Sequence, residues 1–115
     1  MKILVVEDDP GMLLAYQTLL EIEGHDVICA GDGEAGFALA MSTPVNLIVT
    51  DNDMPNLTGT EMVAKLRETG LTTPILMCTA GRGEPPPGIS GILRKPFDMG
   101  TFVEKVDSLL DYLNP

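Results

Sequence analysis

Lys2-Ile3-Leu4-Val5-Val6-Glu7-Asp8-Asp9, at the start of the chain, and Asn46-Leu47-Ile48-Val49-Thr50-Asp51-Asn52-Asp53, near its middle, share one construction. Each is an apolar run that ends abruptly in carboxylates. Continuous apolar runs of this length, rather than alternating ones, fit strands of a parallel sheet covered on both faces. Such strands deliver the residues after them to the carboxyl edge of the sheet, where open α/β sheets bind ligands. Carboxylates crowded there repel one another unless a cation or a proton intervenes. Hard oxygen donors of this kind suit Mg²⁺.

Two further strand ends extend the pattern. Pro74-Ile75-Leu76-Met77-Cys78 runs into Thr79-Ala80, and Gly91-Ile92-Leu93-Arg94 runs into Lys95-Pro96-Phe97. Acids, a hydroxyl and an ammonium therefore converge on one edge. The acids offer a place for a divalent ion, and the hydroxyl and ammonium offer donors to an anion beside it. Together they describe a site at which a carboxylate is phosphorylated with metal assistance.

Between the strands lie helical patterns. The first follows Pro10, carries Leu13, Tyr16, Leu20 and Ile22 at helical spacing, and ends at Gly24. His25-Asp26-Val27-Ile28-Cys29 reads as the second strand. Asp32-Gly33-Glu34 opens a second helix with Phe37, Ala38, Ala40 and Met41 inward, and Pro44 stops it. A third helix spans about 60–68 with Met62, Val63 and Leu66 inward. Asp98 caps a last helix, with Phe102, Val106, Leu109 and Leu110 inward, that runs to about Leu113. The strands are expected at about 2–6, 25–29, 46–50, 74–78 and 91–94. The series predicts a doubly wound α/β sandwich with right-handed crossovers. The first and last helices should share one face, and the second and third the other.

One crossover breaks the series. Gly81-Arg82-Gly83-Glu84-Pro85-Pro86-Pro87-Gly88-Ile89-Ser90 occupies the place of a fourth helix. Three consecutive prolines remove amide donors and turn preceding residues away from helical dihedrals. A polyproline-like loop is expected instead, mobile where glycines flank it. It should leave an apolar area around Ile75, Met77, Ile92 or Leu93 under thin cover, which marks an interface.

The composition narrows the class. With 115 residues, the chain is expected to be one domain spanning 1–115. Seventeen Asp and Glu against seven Lys and Arg give a formal net charge of -10, and no basic run is present. Direct nucleic-acid binding is not expected. No apolar run approaches a membrane span, so neither is membrane insertion, and a cytoplasmic location is expected. Cys29 and Cys78 fall in strand patterns and read as buried, reduced thiols.

These residues resemble the receiver domain of two-component response regulators, and the resemblance covers essentially the whole chain. Glu7-Asp8-Asp9 looks like that family's acidic pocket, and Asp51 through Gly59 like its phosphoacceptor loop. Thr79-Ala80 looks like its hydroxyl switch, and Lys95-Pro96-Phe97 like its lysine. The resemblance implies a flavodoxin-like, five-stranded parallel sheet in the order 2-1-3-4-5, here with four helices. It implies Asp51 as phosphoacceptor, with Thr79 and Lys95 binding the phosphoryl group. It also implies Mg²⁺ held by Asp8 directly, by Glu7 through water, by Asp51, and by the backbone carbonyl of Asp53. A histidine kinase or histidine phosphotransfer protein would be the donor and another protein the target. No activity is implied beyond the domain's own phosphorylation and dephosphorylation.

Two departures stand out against the family. A fourth helix is missing, and Ile92 stands where the family often carries an aromatic residue, three before the lysine. Both lie on the face through which many receivers signal, so the 81–91 region is expected to bind a partner or form a non-standard homodimer. Two other functions compete. One is a degenerate receiver acting as a scaffold without phosphorylation, against which the intact pocket argues. The other is a haloacid-dehalogenase-type phosphohydrolase, suggested by Asp51-Asn52-Asp53. Its motif belongs after a first strand, and this chain has no substrate-selecting cap.

Overall fold

The apolar runs form β1 (Lys2–Val6), β2 (Asp26–Ala30), β3 (Leu47–Asp51), β4 (Ile75–Thr79) and β5 (Gly91–Arg94). All pair in parallel, in the order β2-β1-β3-β4-β5. Helices α1 (Pro10–Ile22), α2 (Gly33–Ser42), α3 (Gly59–Glu68) and α4 (Met99–Leu113) supply three of the crossovers and the last cover. This computed structural model describes residues 1–113. The sheet is the flavodoxin-like one expected of the sequence.

Strand alternation divides the core in two. Ile3, Val5, Leu47, Val49, Leu76 and Cys78 face Tyr16 and Leu20 of α1 and Phe102, Val106, Leu109 and Leu110 of α4. Leu4, Val6, Ile48, Ile75 and Met77 face Ala40 of α2 and Met62, Val63 and Leu66 of α3. Every residue of β3 and β4 is buried, which explains why neither strand alternates in sequence. Tyr16 stacks on Phe102 with ring centroids 4.9 Å apart, joining α1 to α4.

Polar side chains start the helices. Asp9 accepts from the Gly11 amide at 2.9 Å, Asp32 from Ala35 at 2.8 Å and Asp98 from Thr101 at 2.7 Å. Thr58 and Glu61 form a reciprocal capping box on α3. Four side chains expected inward or buried are not. Ile22 and Met41 are exposed, as is Ala38, and Cys29 is only half-buried. Ile22 lies roughly 200° round α1 from Leu20, and Met41 roughly 100° round α2 from Ala40, so neither reaches the sheet. Cys29 sits on β2, an edge strand with one neighbour.

Strands β2, β3 and β4 begin and end one residue later than their apolar runs suggest. The ladder continues past the apolar stretch because a neighbouring strand still offers partners. Asp51 is thereby in register with Cys78, and Thr79 with Arg94. Both polar residues belong to the sheet and not to the loops beyond it.

Residues 80–90 form no helix, as the prolines dictate. The expectation of thinly covered strands is corrected, however. Ile75 and Met77 are fully buried, and Ile92 and Leu93 are half-buried. Ile89 packs on the same cluster as Ile75 and Met77, so the loop supplies the apolar cover itself. Ser90 ties it down, donating its amide to the Ile75 carbonyl at 2.8 Å and accepting the Ile75 amide at 3.1 Å.

Gly59, the first residue of α3, shows how tightly the site is built. A Cβ there would lie 2.2 Å from the Asp51 carbonyl oxygen. Backbone offers no soft side chain to yield, so Gly59→Ala is expected to cost about 2 kcal/mol or more. Gly31→Ala, at a position with open space, should stay within roughly 0.5 kcal/mol. Urea denaturation of the two variants checks this, and equal midpoints would show that the contact at Gly59 relaxes freely.

Candidate functional site

Glu7 follows β1 directly, and its amide still bonds to Ala30 of β2 at 3.0 Å. The side chain is therefore held under the edge, only 2% exposed. Its Oε2 accepts from the Asp9 amide at 3.2 Å. Asp8, one residue on, is exposed. Asp51 ends β3 and is 8% exposed, with Oδ1 accepting from the Asn52 amide at 2.8 Å. Each of Glu7, Asp8 and Asp51 presents a carboxylate oxygen within 4.8 Å of the other two.

Lys95 reaches this group from beyond β5. Its amide donates to the Thr79 carbonyl at 2.8 Å, which extends the β4–β5 ladder, and a cis peptide joins it to Pro96. The ammonium lies 3.5 Å from Asp51 Oδ1 and 3.6 Å from Glu7 Oε1. One cation thus bridges two carboxylates from different strands.

The charges do not balance. Three carboxylates against one ammonium leave a formal −2. Burial pushes the Glu7 carboxyl above its ordinary value, and the neighbouring Asp51 charge adds to that. Burial works to lower the Lys95 value, but the Asp51 and Glu7 carboxylates outweigh it and hold the ammonium protonated. Glu7 Oε1 is buried and has no hydrogen-bond partner among the described residues. A buried oxygen with only the long Lys95 ion pair at 3.6 Å, within a cluster of hard donors, fits a divalent cation of the Mg²⁺ type.

The structure therefore brings together Glu7, Asp8, Asp51 and Lys95. Thr79 is buried at the adjacent strand end, where its Oγ1 accepts from the Gly81 amide at 3.0 Å. Asp53 is exposed, and its carboxylate is not among the three that converge. Cys78, beside Asp51 in the ladder, has its thiol pushed up to about 12, chiefly by burial. It is inert at neutral pH.

Sequence reasoning passes over Asn52. Its Oδ1 accepts from both the amide and the hydroxyl of Thr60, at 2.9 and 2.7 Å. Its carbonyl accepts from the Gly59 amide at 3.0 Å. These bonds fold residues 52–58 into a closed loop on the start of α3, which holds Asp51 in place. Its position between two aspartates conceals this brace.

The geometry has relatives. The response regulator receiver domain family matches residues 3–107, and the chain belongs to that family. It is 44% identical over 79 residues to the alkaline phosphatase synthesis transcriptional regulatory protein PhoP of Bacillus subtilis, covering 69% of this chain and 33% of that protein. It is 34% identical over 116 aligned positions to the putative positive transcription regulator of virulence factors BvgA of Bordetella pertussis, covering 98% and 53%. The chain thus spans between a third and about half the length of these relatives. Among solved structures, the receiver domain of Francisella response regulator 1452 superimposes with a TM-score of 0.90 at 27% identity, covering 96% of this chain and 97% of that one. The response regulator TrrA of Thermotoga maritima, solved with Mg²⁺ and BeF, gives 0.87 at 27% identity, covering 94% and 97%.

The raised Glu7 value sets a pH dependence. A carboxyl that binds its proton more tightly when folded stabilises the fold fully below its ordinary value near 4.5. That contribution is lost as pH rises through the folded value. Without divalent ions, the melting temperature of the protein should fall over this window. Glu7→Gln, neutral throughout, should lessen the fall and melt higher than the parent at pH 8. Added Mg²⁺ should reverse that order. Parallel pH profiles for the two proteins would show that Glu7 keeps an ordinary carboxyl.

Proposed function

We propose that this receiver domain accepts a phosphoryl group on Asp51 from a histidine kinase or histidine phosphotransfer protein. It then signals through protein–protein contact. The observation that carries this is the placement of Asp51: at a strand end, its carboxylate converges with those of Glu7 and Asp8 while Lys95 lies 3.5 Å from Oδ1.

The chemistry needs an ionised carboxylate facing an anionic donor. A carboxylate oxygen of Asp51 attacks phosphorus as the phosphorus–nitrogen bond of phosphohistidine breaks. The imidazole leaves with the electron pair and takes up a proton. Lys95 offsets charge on Asp51 before transfer and pairs with the phosphoryl oxygens after it. Thr79 supplies a hydroxyl donor from the adjacent strand. Glu7, Asp8, Asp51 and the Asp53 carbonyl would hold Mg²⁺, which supplies charge neutralisation for the transferring group. Positioning does most of this work, so a small domain suffices. The Thermotoga neighbour, solved with Mg²⁺ and BeF, supports this assignment.

The domain would act only on itself, without turnover of other substrates. Its partners would be the phosphodonor in the cytoplasm and a downstream protein. The acidic surface argues against direct nucleic-acid contact. Among the described residues, no helix is long and apolar enough to cross a membrane. The 81–91 region is the surface proposed for a downstream partner or for a non-standard homodimer.

Acetyl phosphate with Mg²⁺ tests the assignment. Intact mass should show a gain of one phosphoryl group, absent in Asp51→Asn. Mg²⁺ at about a hundredfold excess over its Kd should stabilise the fold by roughly 2.7 kcal/mol, and Asp8→Asn should remove most of that gain. Labelling that survives Asp51→Asn would move the nucleophile elsewhere. No labelling of the parent would favour a scaffold that is never phosphorylated.

A further inference from the structure

Thr79 and Arg94 are register partners at the ends of β4 and β5, and Met77 pairs with Ile92 two residues inward. Alternation puts all four side chains on the sheet face covered by α3 and the proline-rich crossover. They line a cavity of about 280 Å³, with Thr60 and Pro86 across from them.

A chain of hydrogen bonds leaves this cavity. Thr79 Oγ1 accepts the Gly81 amide at 3.0 Å. The Gly81 carbonyl in turn accepts Arg94 Nη1. Arg94 Nη2 reaches the Gly83 carbonyl at 2.8 Å. One guanidinium therefore grips both glycines of Gly81-Arg82-Gly83, and the first of them is also gripped by the Thr79 hydroxyl. At the far end, Arg67 of α3 donates to the Gly88 carbonyl at 2.9 Å and to the Leu71 carbonyl at 2.8 Å. The crossover that lacks a helix is strung between two arginines.

We propose that Arg94 is a positioning residue that couples the Thr79 hydroxyl to the proline-rich crossover, so that phosphorylation of Asp51 shifts residues 81–88 as a unit. This rests on the phosphoacceptor function proposed above and names how it is read out. In its bond with the Gly81 amide the Thr79 oxygen acts as an acceptor, so its own proton is free for a phosphoryl oxygen. Turning the hydroxyl toward that oxygen re-aims the lone pair that holds Gly81. The backbone of Thr79 stays, because its carbonyl is bonded to the Lys95 amide. Gly81 must follow the hydroxyl or lose its bond. The planar fork of Arg94 holds the two carbonyls at a fixed spacing and makes Gly83 follow Gly81, which the flexible ammonium of a lysine would not enforce. Packed interiors resist such shifts, and the cavity beside Thr79 and Ile92 supplies the room. An aromatic side chain at position 92 would fill that room. The aliphatic Ile92 leaves it open.

Amide spectra of the 115-residue chain with Mg²⁺ and beryllofluoride, as a phosphoryl mimic, test the coupling. In the parent, shift changes should run from Asp51 through Thr79 to Gly83 and Gly88. In Arg94→Ala, changes near Asp51 and Lys95 should persist while those at Gly83 and Gly88 are lost. The Gly81 amide, still bonded to Thr79 Oγ1, should then exchange about tenfold faster, because the segment that carries it has lost the charge-assisted bond from Arg94 to the Gly81 carbonyl. Arg94→Lys keeps the charge but replaces the rigid planar fork with a flexible point charge, which does not fix the two carbonyls relative to each other. It should also lose the distal changes, and it carries the test if Arg94→Ala does not fold. Wild-type changes at Gly83 and Gly88 in either variant would overturn the coupling. So would a parent whose crossover is unmoved while residues around Asp51 respond. If nothing responds and acetyl phosphate leaves Asp51 unlabelled, the phosphoacceptor function itself fails and the coupling fails with it.

Discussion

Lys95 lies between the Glu7 and Asp51 carboxylates, and the functional end of the molecule depends on that contact. A parallel sheet gathers the residues beyond its strand ends at one edge, and here those residues are acidic. Glu7 and Asp51 are both nearly buried, so water does little to screen their repulsion. One ammonium at 3.5 and 3.6 Å meets part of the cost. The remaining negative charge is what makes the edge receptive to a divalent cation.

Holding this arrangement requires backbone that does not yield. Glu7, Asp51 and Thr79 are each tied to the sheet through strand or near-strand hydrogen bonds, and Lys95 through its amide on the Thr79 carbonyl. Asn52 closes the loop after Asp51 onto the start of α3, and Gly59 lets that helix press against the Asp51 carbonyl. The Asp51 carboxylate is thus fixed from two sides, by the ladder behind it and the helix beside it. Such preorganisation matters more than any single strong interaction when the chemistry is mostly the positioning of charge.

The strands and the acidic edge were legible because both follow from local pattern. A continuous apolar run cut short by carboxylates has few other interpretations in a chain of this size. The helix faces were legible where spacing was strict, as for Phe102, Val106, Leu109 and Leu110. They failed where an apolar residue lay off the stripe, as Ile22 and Met41 do. Proline chemistry revealed the missing helix, because it acts on the residue itself and its neighbour. What covered the strands in its place was not legible. Ile89 packing on Ile75 and Met77, and the grips of Arg67 and Arg94 on glycine carbonyls, are contacts between segments distant in sequence. No periodicity marks an arginine that will reach a backbone carbonyl.

The two halves of the site consequently obey different rules. The acidic trio sits at the ends of β1 and β3, among the most constrained strands in the sheet, where any movement would break ladder bonds. The crossover sits beside β4 and β5, held by side chains on a loop that no helix stiffens. Regular backbone can be displaced only as a whole element. Ile89 and Ser90 anchor the end of the loop on β4, but the stretch from Gly81 to Gly88 is held by a few bonds to Thr79, Arg94 and Arg67 and can be displaced by rearranging those. Losing a helix here removes a rigid lever, and it also removes the barrier to moving without one. Thr79 stands where these two regimes meet, its backbone in the ladder and its hydroxyl in the loop. A change confined to one oxygen atom at that position leaves the sheet intact and still reaches the surface.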